Sequence, residues 1–214
     1  MRKSEIIVLA ITLASFAIGI YLYSQFPEAV ASHWNAQGQV NGYTSKIWGL
    51  FLMPIISFAL LLFFIAIPKI DPLKENIAKF RKYFDNFVIL VILFLFYIYL
   101  LTIFWNLGLA FNFVRAMVPA FAILIFYAGI MLENTKRNWF IGIRTPWTMS
   151  SDKVWEKTHK LGGKIFKVVG IASLIGLLFA DIAFYLILFF LFGGVIYVVA
   201  YSYFEFKKQR RKGK

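Results

Sequence analysis

Long apolar runs decide most of what this chain can become. Six stretches, near residues 5–25, 48–67, 86–107, 116–132, 165–181 and 183–204, are each 17 residues or longer and almost free of charge. A helix rises 1.5 Å per residue, so each run is long enough to cross the ~30 Å hydrocarbon layer of a bilayer. Soluble domains carry about 25% charged residues. This chain carries 15%, with 61% hydrophobic residues and a mean hydropathy of +0.74. The expected fold is an all-α integral membrane protein of six transmembrane helices, with residues 1–214 forming a single membrane domain.

The first run resembles a signal peptide because Arg2 and Lys3 precede it. It continues for about twenty residues and no small-x-small cleavage site follows, which makes it a retained span. The last two runs are barely separated. Ile165–Phe206 would form about two crossings of a ~30 Å core, and the only break near its middle is Asp181. A tight hairpin is expected there, with Asp181 at an interface, because an ionised carboxylate at the bilayer centre is costly. A buried, functional Asp181 is the alternative.

Charge orients the spans. With the N-terminus inside, all of the 23 lysines and arginines except Lys46 and Arg115 fall on cytoplasmic segments. Such asymmetry over short loops follows the positive-inside rule and puts both termini in the cytoplasm. The net charge of +13 is thereby explained by topology and anionic headgroups, with no nucleic-acid binding expected. The absence of cysteine excludes disulfides and thiol nucleophiles.

Two polar segments interrupt the hydrocarbon. The outer one, Pro27–Lys46, is short and rich in turn formers. Asn35–Gly38 can make one turn, and Asn41-Gly42 suits a two-residue hairpin turn because both residues tolerate positive φ. A small β-like lid between spans one and two is expected, presenting His33, Trp34 and Tyr43 at the interface.

The inner segment, Asn138–His159, holds three of the six tryptophans and one of the two histidines. Arg144-Thr145-Pro146 should be extended, because proline disfavours the α region in the residue before it. Ser151 or Asp152 caps a short helix over Lys153–Leu161, with Val154, Trp155, Thr158 and Leu161 on one face. Trp155 and His159 share a face, and Glu156 and Lys160 form a favourable i,i+4 pair. The helix is expected to lie along the cytoplasmic interface until Gly162-Gly163 breaks it before span five. One interpretation is a connector that binds headgroups. The other is a docking surface, with the planar donors of Arg144 and the large contact area of Trp147.

Chemistry is otherwise scarce. The two histidines fall on opposite faces of the membrane and cannot share a metal ion, and no metalloprotease, nucleotide-binding or hydrolase motif is present. A charge-coupled transporter usually needs several ionisable groups within its spans, and few exist here. A transporter of small molecules or lipid through neutral groups is the rival, with Thr12, Ser15, Ser57, Thr102 and Ser173 as candidate polar residues. An enzyme would need an acid–base pair, and Asp152, Glu156 and His159 equally suit a solvated helix face.

The outer H-W-N-x-x-G-x-x-x-G-Y (His33, Trp34, Asn35, Gly38, Gly42, Tyr43) and the inner G-I-R-T-P-W-T-M-S-S-D-x-V-W-x-x-T-H resemble the bacterial SdpI family. The second motif covers Gly142, Arg144, Thr145, Pro146, Trp147, Thr148, Ser151, Asp152, Trp155, Thr158 and His159. The resemblance implies a multi-span immunity protein of the bacterial cell membrane, protecting against a secreted membrane-damaging peptide toxin. It also implies capture of a soluble transcriptional repressor at the inner face. It implies no cofactor, no metal and no catalytic residues. The outer motif is then the expected toxin contact and the inner motif the expected cytoplasmic docking surface.

Overall fold

A computed structural model describes residues 2–179 and 182–212. The chain order is α1 (Lys3–Leu22), β1 (Ala29–Trp34), β2 (Val40–Ser45), α2 (Lys46–Ile70), α3 (Lys74–Lys79), α4 (Arg81–Asn106) and α5 (Phe113–Asn134), then α6 (Pro146–Met149), α7 (Asp152–Ser173), a 3₁₀ turn at Leu174–Leu177 and α8 (Ala183–Lys212). Among the described residues, α1, α2, α4, α5 and α8 are long and apolar enough to cross a membrane. In none of them is more than 33% of the apolar stretch buried inside the protein. So much outward-facing apolar surface is at home only against lipid, and helices satisfy their own backbone groups there. The chain is a helical membrane protein carrying one small sheet.

The fifth expected span takes a different form. The separate interfacial helix ending at Gly162-Gly163 does not exist; α7 runs unbroken from Asp152 to Ser173. Its first thirteen residues carry Asp152, Lys153, Glu156, Lys157, Lys160 and Lys164, which keeps it out of the apolar set. The glycines do not break the helix because neighbouring elements fill the space where their side chains would be, Ile143 beside Gly162 and α5 beside Gly163. A Cβ on Gly163 would sit 2.3 Å from Glu133 Cγ and 2.6 Å from the Gly129 carbonyl oxygen. Close backbone approach through small residues is a common way for helices to associate in lipid. Helix α5 thereby becomes the principal partner of α7, with the Lys167–Glu133 ion pair (2.8 Å) beside the seam. Asp181, the expected turn residue, lies outside the described residues. On either side of it, the Leu178 N–H donates to the Ile175 carbonyl and the Ile182 N–H to that of Phe179.

Helices α1, α2 and α4 form the other part of the bundle. Val8, Leu61, Phe84, Val88 and Ile92 make one buried cluster, and Phe26, Val30, Leu50, Tyr99 and Ile103 another beneath the sheet. Helices α4 and α5 join this part to α7 and α8. Contacts between distant segments sort the loops to two ends. At one end, Arg2 pairs with Asp85, Asn76 bonds Arg137, and Ser151 bonds Gln209. This end gathers both described termini, the α2–α4 connection and the 134–160 segment, which we call the island. The opposite end carries the β1–β2 lid and the α4–α5 connection, held together by Asn106 and Asn112.

Candidate functional site

The lid is an antiparallel pair in which Ala29 faces Ser45, Ala31 faces Tyr43 and His33 faces Gly42, with irregular register on either side of His33. The turn is at Asn35–Gln39. The Asn35 side chain accepts from the N–H groups of Gln37 and Gln39, and Gly38 has φ +79°. Asn41-Gly42 does not form the expected hairpin turn; it lies within β2, where Gly42 makes room for His33, whose Cβ would be 2.9 Å from an added Cβ. The Asn112 side chain braces the turn that does form. It fills the space beside Gly38 and donates from Nδ2 to the Gln37 carbonyl at 2.9 Å.

A two-stranded hairpin is marginal alone in water, and this one is fixed to the helices beneath it. Ala31 N–H donates to Asn106 Oδ1 at 2.8 Å, and Asn106 Nδ2 donates back to the Ala31 carbonyl at 3.0 Å. The carboxamide thus acts like one residue of a third strand along β1. Trp34 stacks on Phe113 with ring centroids 3.8 Å apart and meets Trp105 edge-on. Its buried indole N–H has no acceptor among the described residues. His33 is exposed and bonds Asn41, and Tyr43 is 65% exposed. The expected outer residues are therefore together, with His33 and Tyr43 on the surface. Asn106, Asn112, Trp105 and Phe113 complete the lid, and nothing in local sequence marks them as its partners.

At the opposite end, the island mixes buried anchors with exposed side chains. Gly142 has φ +115°, and a Cβ there would be 2.5 Å from His159 Nε2. That nitrogen accepts from Ile143 N–H at 2.9 Å, while Nδ1 bonds the Trp155 carbonyl at 2.8 Å. Nε2 accepts, so Nδ1 carries the proton and the ring is neutral. Burial away from water, only partly offset by the Trp155 carbonyl, lowers the His159 pKa to about 4. The ring stacks on Trp155 at 3.9 Å, and Trp155 Nε1 donates to the Thr135 carbonyl at 3.1 Å.

Thr145 and Thr148 cap α6 reciprocally: Thr148 N–H donates to Thr145 Oγ1 at 3.1 Å, and Thr145 N–H to Thr148 Oγ1 at 2.9 Å. The Thr145 hydroxyl also meets Ser202 of α8 at 3.1 Å. Ser151 caps α7 as the sequence suggests, accepting from Val154 N–H.

The island motif therefore divides by exposure. Thr148, Trp155, Thr158 and His159 are fully or almost fully buried, and Thr145 is nearly so. Arg144, Pro146 and Asp152 are exposed, and Trp147 is half-buried against Tyr203 at 5.1 Å. Asn138 and Asp71 hold the segment from beneath. Asn138 Oδ1 accepts from the N–H groups of Phe140 and Ile141, and Asp71 Oδ2 accepts from Trp139 N–H at 2.8 Å. Between this segment and α3 lies a polar cleft of about 280 Å³, with Lys79, Lys136, Arg137, Asp152 and Glu156 on its walls. Among the described residues, no group of His, Asp and Glu side chains could hold a metal ion.

The family model described as "SdpI/YfhL protein family" matches residues 134–202, from the island through most of α8. A second model, "Domain of unknown function (DUF1648)", matches residues 10–58, which comprise most of α1, the lid and the start of α2. The chain is 27% identical over 168 residues to the Immunity protein SdpI of Bacillus subtilis (strain 168), a match covering 78% of each chain. No solved structure matches it. The buried ring pair of Trp155 and His159 and the reciprocal threonine cap lie in the stretch that the first model matches, and over that stretch the chain is similar to the SdpI/YfhL protein family.

Proposed function

We propose that the chain is an immunity protein of the bacterial plasma membrane, with both termini cytoplasmic, that protects its cell from a secreted membrane-active peptide toxin. The observation that carries this reading is the likeness to Immunity protein SdpI over 78% of both chains. The gathering of the termini, the α2–α4 connection and the island at one end supports the orientation, because these segments hold nearly all the cations. The toxin meets the lid at the opposite end, on the surface formed by His33, Asn35 and Tyr43 over Trp34, with Gly38 and Gly42 shaping the strands. At the inner face, a transcriptional repressor docks on Arg144, Pro146, Trp147 and Asp152 and the cleft beside them. Gly142 and the buried Thr145, Thr148, Trp155, Thr158 and His159 hold that surface in shape. Signalling across the membrane requires the toxin to favour one of two helix packings. The amide contacts from Asn106 and Asn112 to the lid are the means by which it would pull on α4 and α5.

The transporter alternative loses support from the spans. Of its five candidate polar residues, Thr12, Ser15, Thr102 and Ser173 each donate to a carbonyl four residues back in their own helix, and Ser57 is buried on α2.

The test is complementation in Bacillus subtilis lacking its own SdpI, grown beside toxin-producing siblings. Survival is expected with the intact chain and lost with Trp34→Ala or His33→Ala at equal membrane abundance. Unchanged protection by both variants would remove the lid from the mechanism. Arg144→Ala is expected to abolish repressor recruitment and leave survival intact.

A further inference from the structure

An apolar groove of about 390 Å³ runs between α7 and α8 on the outside of the bundle. Its walls are Ile165, Val168 and Val169 of α7 and Phe190, Gly194 and Tyr197 of α8. Gly194 forms the floor, where an added Cβ would lie 2.9 Å from Ile165 Cγ2. The helices are antiparallel, with Lys157 of α7 against Glu205 of α8. Lys164 and Tyr197 therefore mark the island-side mouth of the groove, and Phe190 lies deeper along the span.

Lys164 differs from its neighbours on α7. Lys157 pairs with Glu205, Lys160 with Glu156 and Lys167 with Glu133. Lys164 is exposed, and among the described residues no carboxylate lies within 4.0 Å of it. An uncompensated ammonium beside an acyl-sized channel is costly in hydrocarbon. A lysine stem lies along apolar surface while its head reaches towards the headgroup layer. The arrangement offers two contacts at one site: carbon walls for a hydrocarbon chain, and a cation at their mouth for the phosphate above it.

We propose that the α7–α8 groove binds one anionic glycerophospholipid, with an acyl chain between Val168 and Phe190 and its phosphate at Lys164. A zwitterionic lipid fits the walls equally well, but its own choline cation compensates the phosphate, so Lys164 selects for net negative charge.

The experiment is native mass spectrometry of the full chain from mixed micelles holding equal dioleoylphosphatidylglycerol and dioleoylphosphatidylcholine. The expected result is one retained lipid, with phosphatidylglycerol favoured at least fivefold. Lys164→Gln should bring that preference close to parity. Val168→Trp, at a position 65% exposed, fills the groove from outside the core and should reduce retention of both lipids. Lys153→Gln, another exposed α7 lysine without a carboxylate partner but away from the groove, should keep the wild-type preference. Equal retention of the two lipids by the wild type would overturn the proposal. So would an unchanged preference in Lys164→Gln, or wild-type retention by Val168→Trp.

Discussion

Replacing Gly142 by alanine tests whether the island is held in shape by the contact between its backbone and His159. Two costs add at this position. At φ +115° an L-residue is strained, which costs about 1–3 kcal/mol. The new methyl would also lie 2.5 Å from His159 Nε2, displacing the ring from Ile143 N–H. Leaving that N–H without an acceptor costs about 1–3 kcal/mol more. The island should therefore open more easily by roughly 2–6 kcal/mol, and each 1.4 kcal/mol is a factor of ten in the opening equilibrium. Hydrogen–deuterium exchange on the detergent-solubilised chain reads this directly. The Ile143 amide should exchange roughly thirtyfold to about twenty-thousandfold faster, while the amides of α1 and α4 keep their protection. Gly108→Ala separates the two costs. It has φ +94° but nothing within 4 Å of an added Cβ, so it carries strain without the clash. Ile143 exchange within threefold of wild type in Gly142→Ala would refute the reasoning, as would equal losses of thermal stability in both variants.

Burial of neutral His159 makes stability depend on pH. Its folded pKa, about 4, is below the unfolded 6.5, so its contribution is full above pH 6.5 and lost as pH falls towards 4. The window is worth about 3 kcal/mol, and the slope of melting temperature against pH across it should flatten in His159→Gln. In Gly163→Leu the added side chain meets Glu133 and the Gly129 carbonyl, so α5 and α7 must separate. Fluorescence-detected size exclusion should show loss of the folded peak there, whereas Gly193→Leu, with open space around it, should elute like wild type. Asn106→Ala leaves both polar groups of Ala31 without their side-chain partner, and about 1–3 kcal/mol of lid stability should go with each buried group left unpaired. Limited proteolysis at Asn35–Gln39 should then accelerate at least tenfold, and an unchanged cleavage rate would remove Asn106 as the fastener.

Span length was legible because lipid asks only for continuous apolar length, which a sequence displays without any knowledge of packing. Helix ends were less so. α4 starts at Arg81 and α8 runs to Lys212, beyond the apolar runs, because ion pairs such as Arg81–Asp85 and Lys157–Glu205 carry polar turns out of the hydrocarbon. The two mistaken glycine assignments share a cause. Local rules treat Gly162-Gly163 as a break and Asn41-Gly42 as a turn, whereas in each case a distant element occupies the space: Glu133 and Gly129 against Gly163, and His33 against Gly42. Within the island, the cap at Ser151 and the Trp155–His159 face were readable from spacing. The way the island folds back on itself was not, because Trp155 is held by Thr135 twenty residues earlier, and Asp71 and Ser202 reach Trp139 and Thr145 from other parts of the chain.

The Asn106 carboxamide has a practical consequence for chimaeras of this protein. It sits 75 residues from Ala31, on a different helix, yet it completes the backbone pairing of the lid. A lid transplanted from a relative with only its own flanking sequence would arrive without its fastener and without the Asn112 amide that sets its turn. The transferable unit is therefore discontinuous: residues 27–46 together with the 105–113 corner. Exchanges that respect this boundary should move recognition between relatives without disturbing the spans beneath.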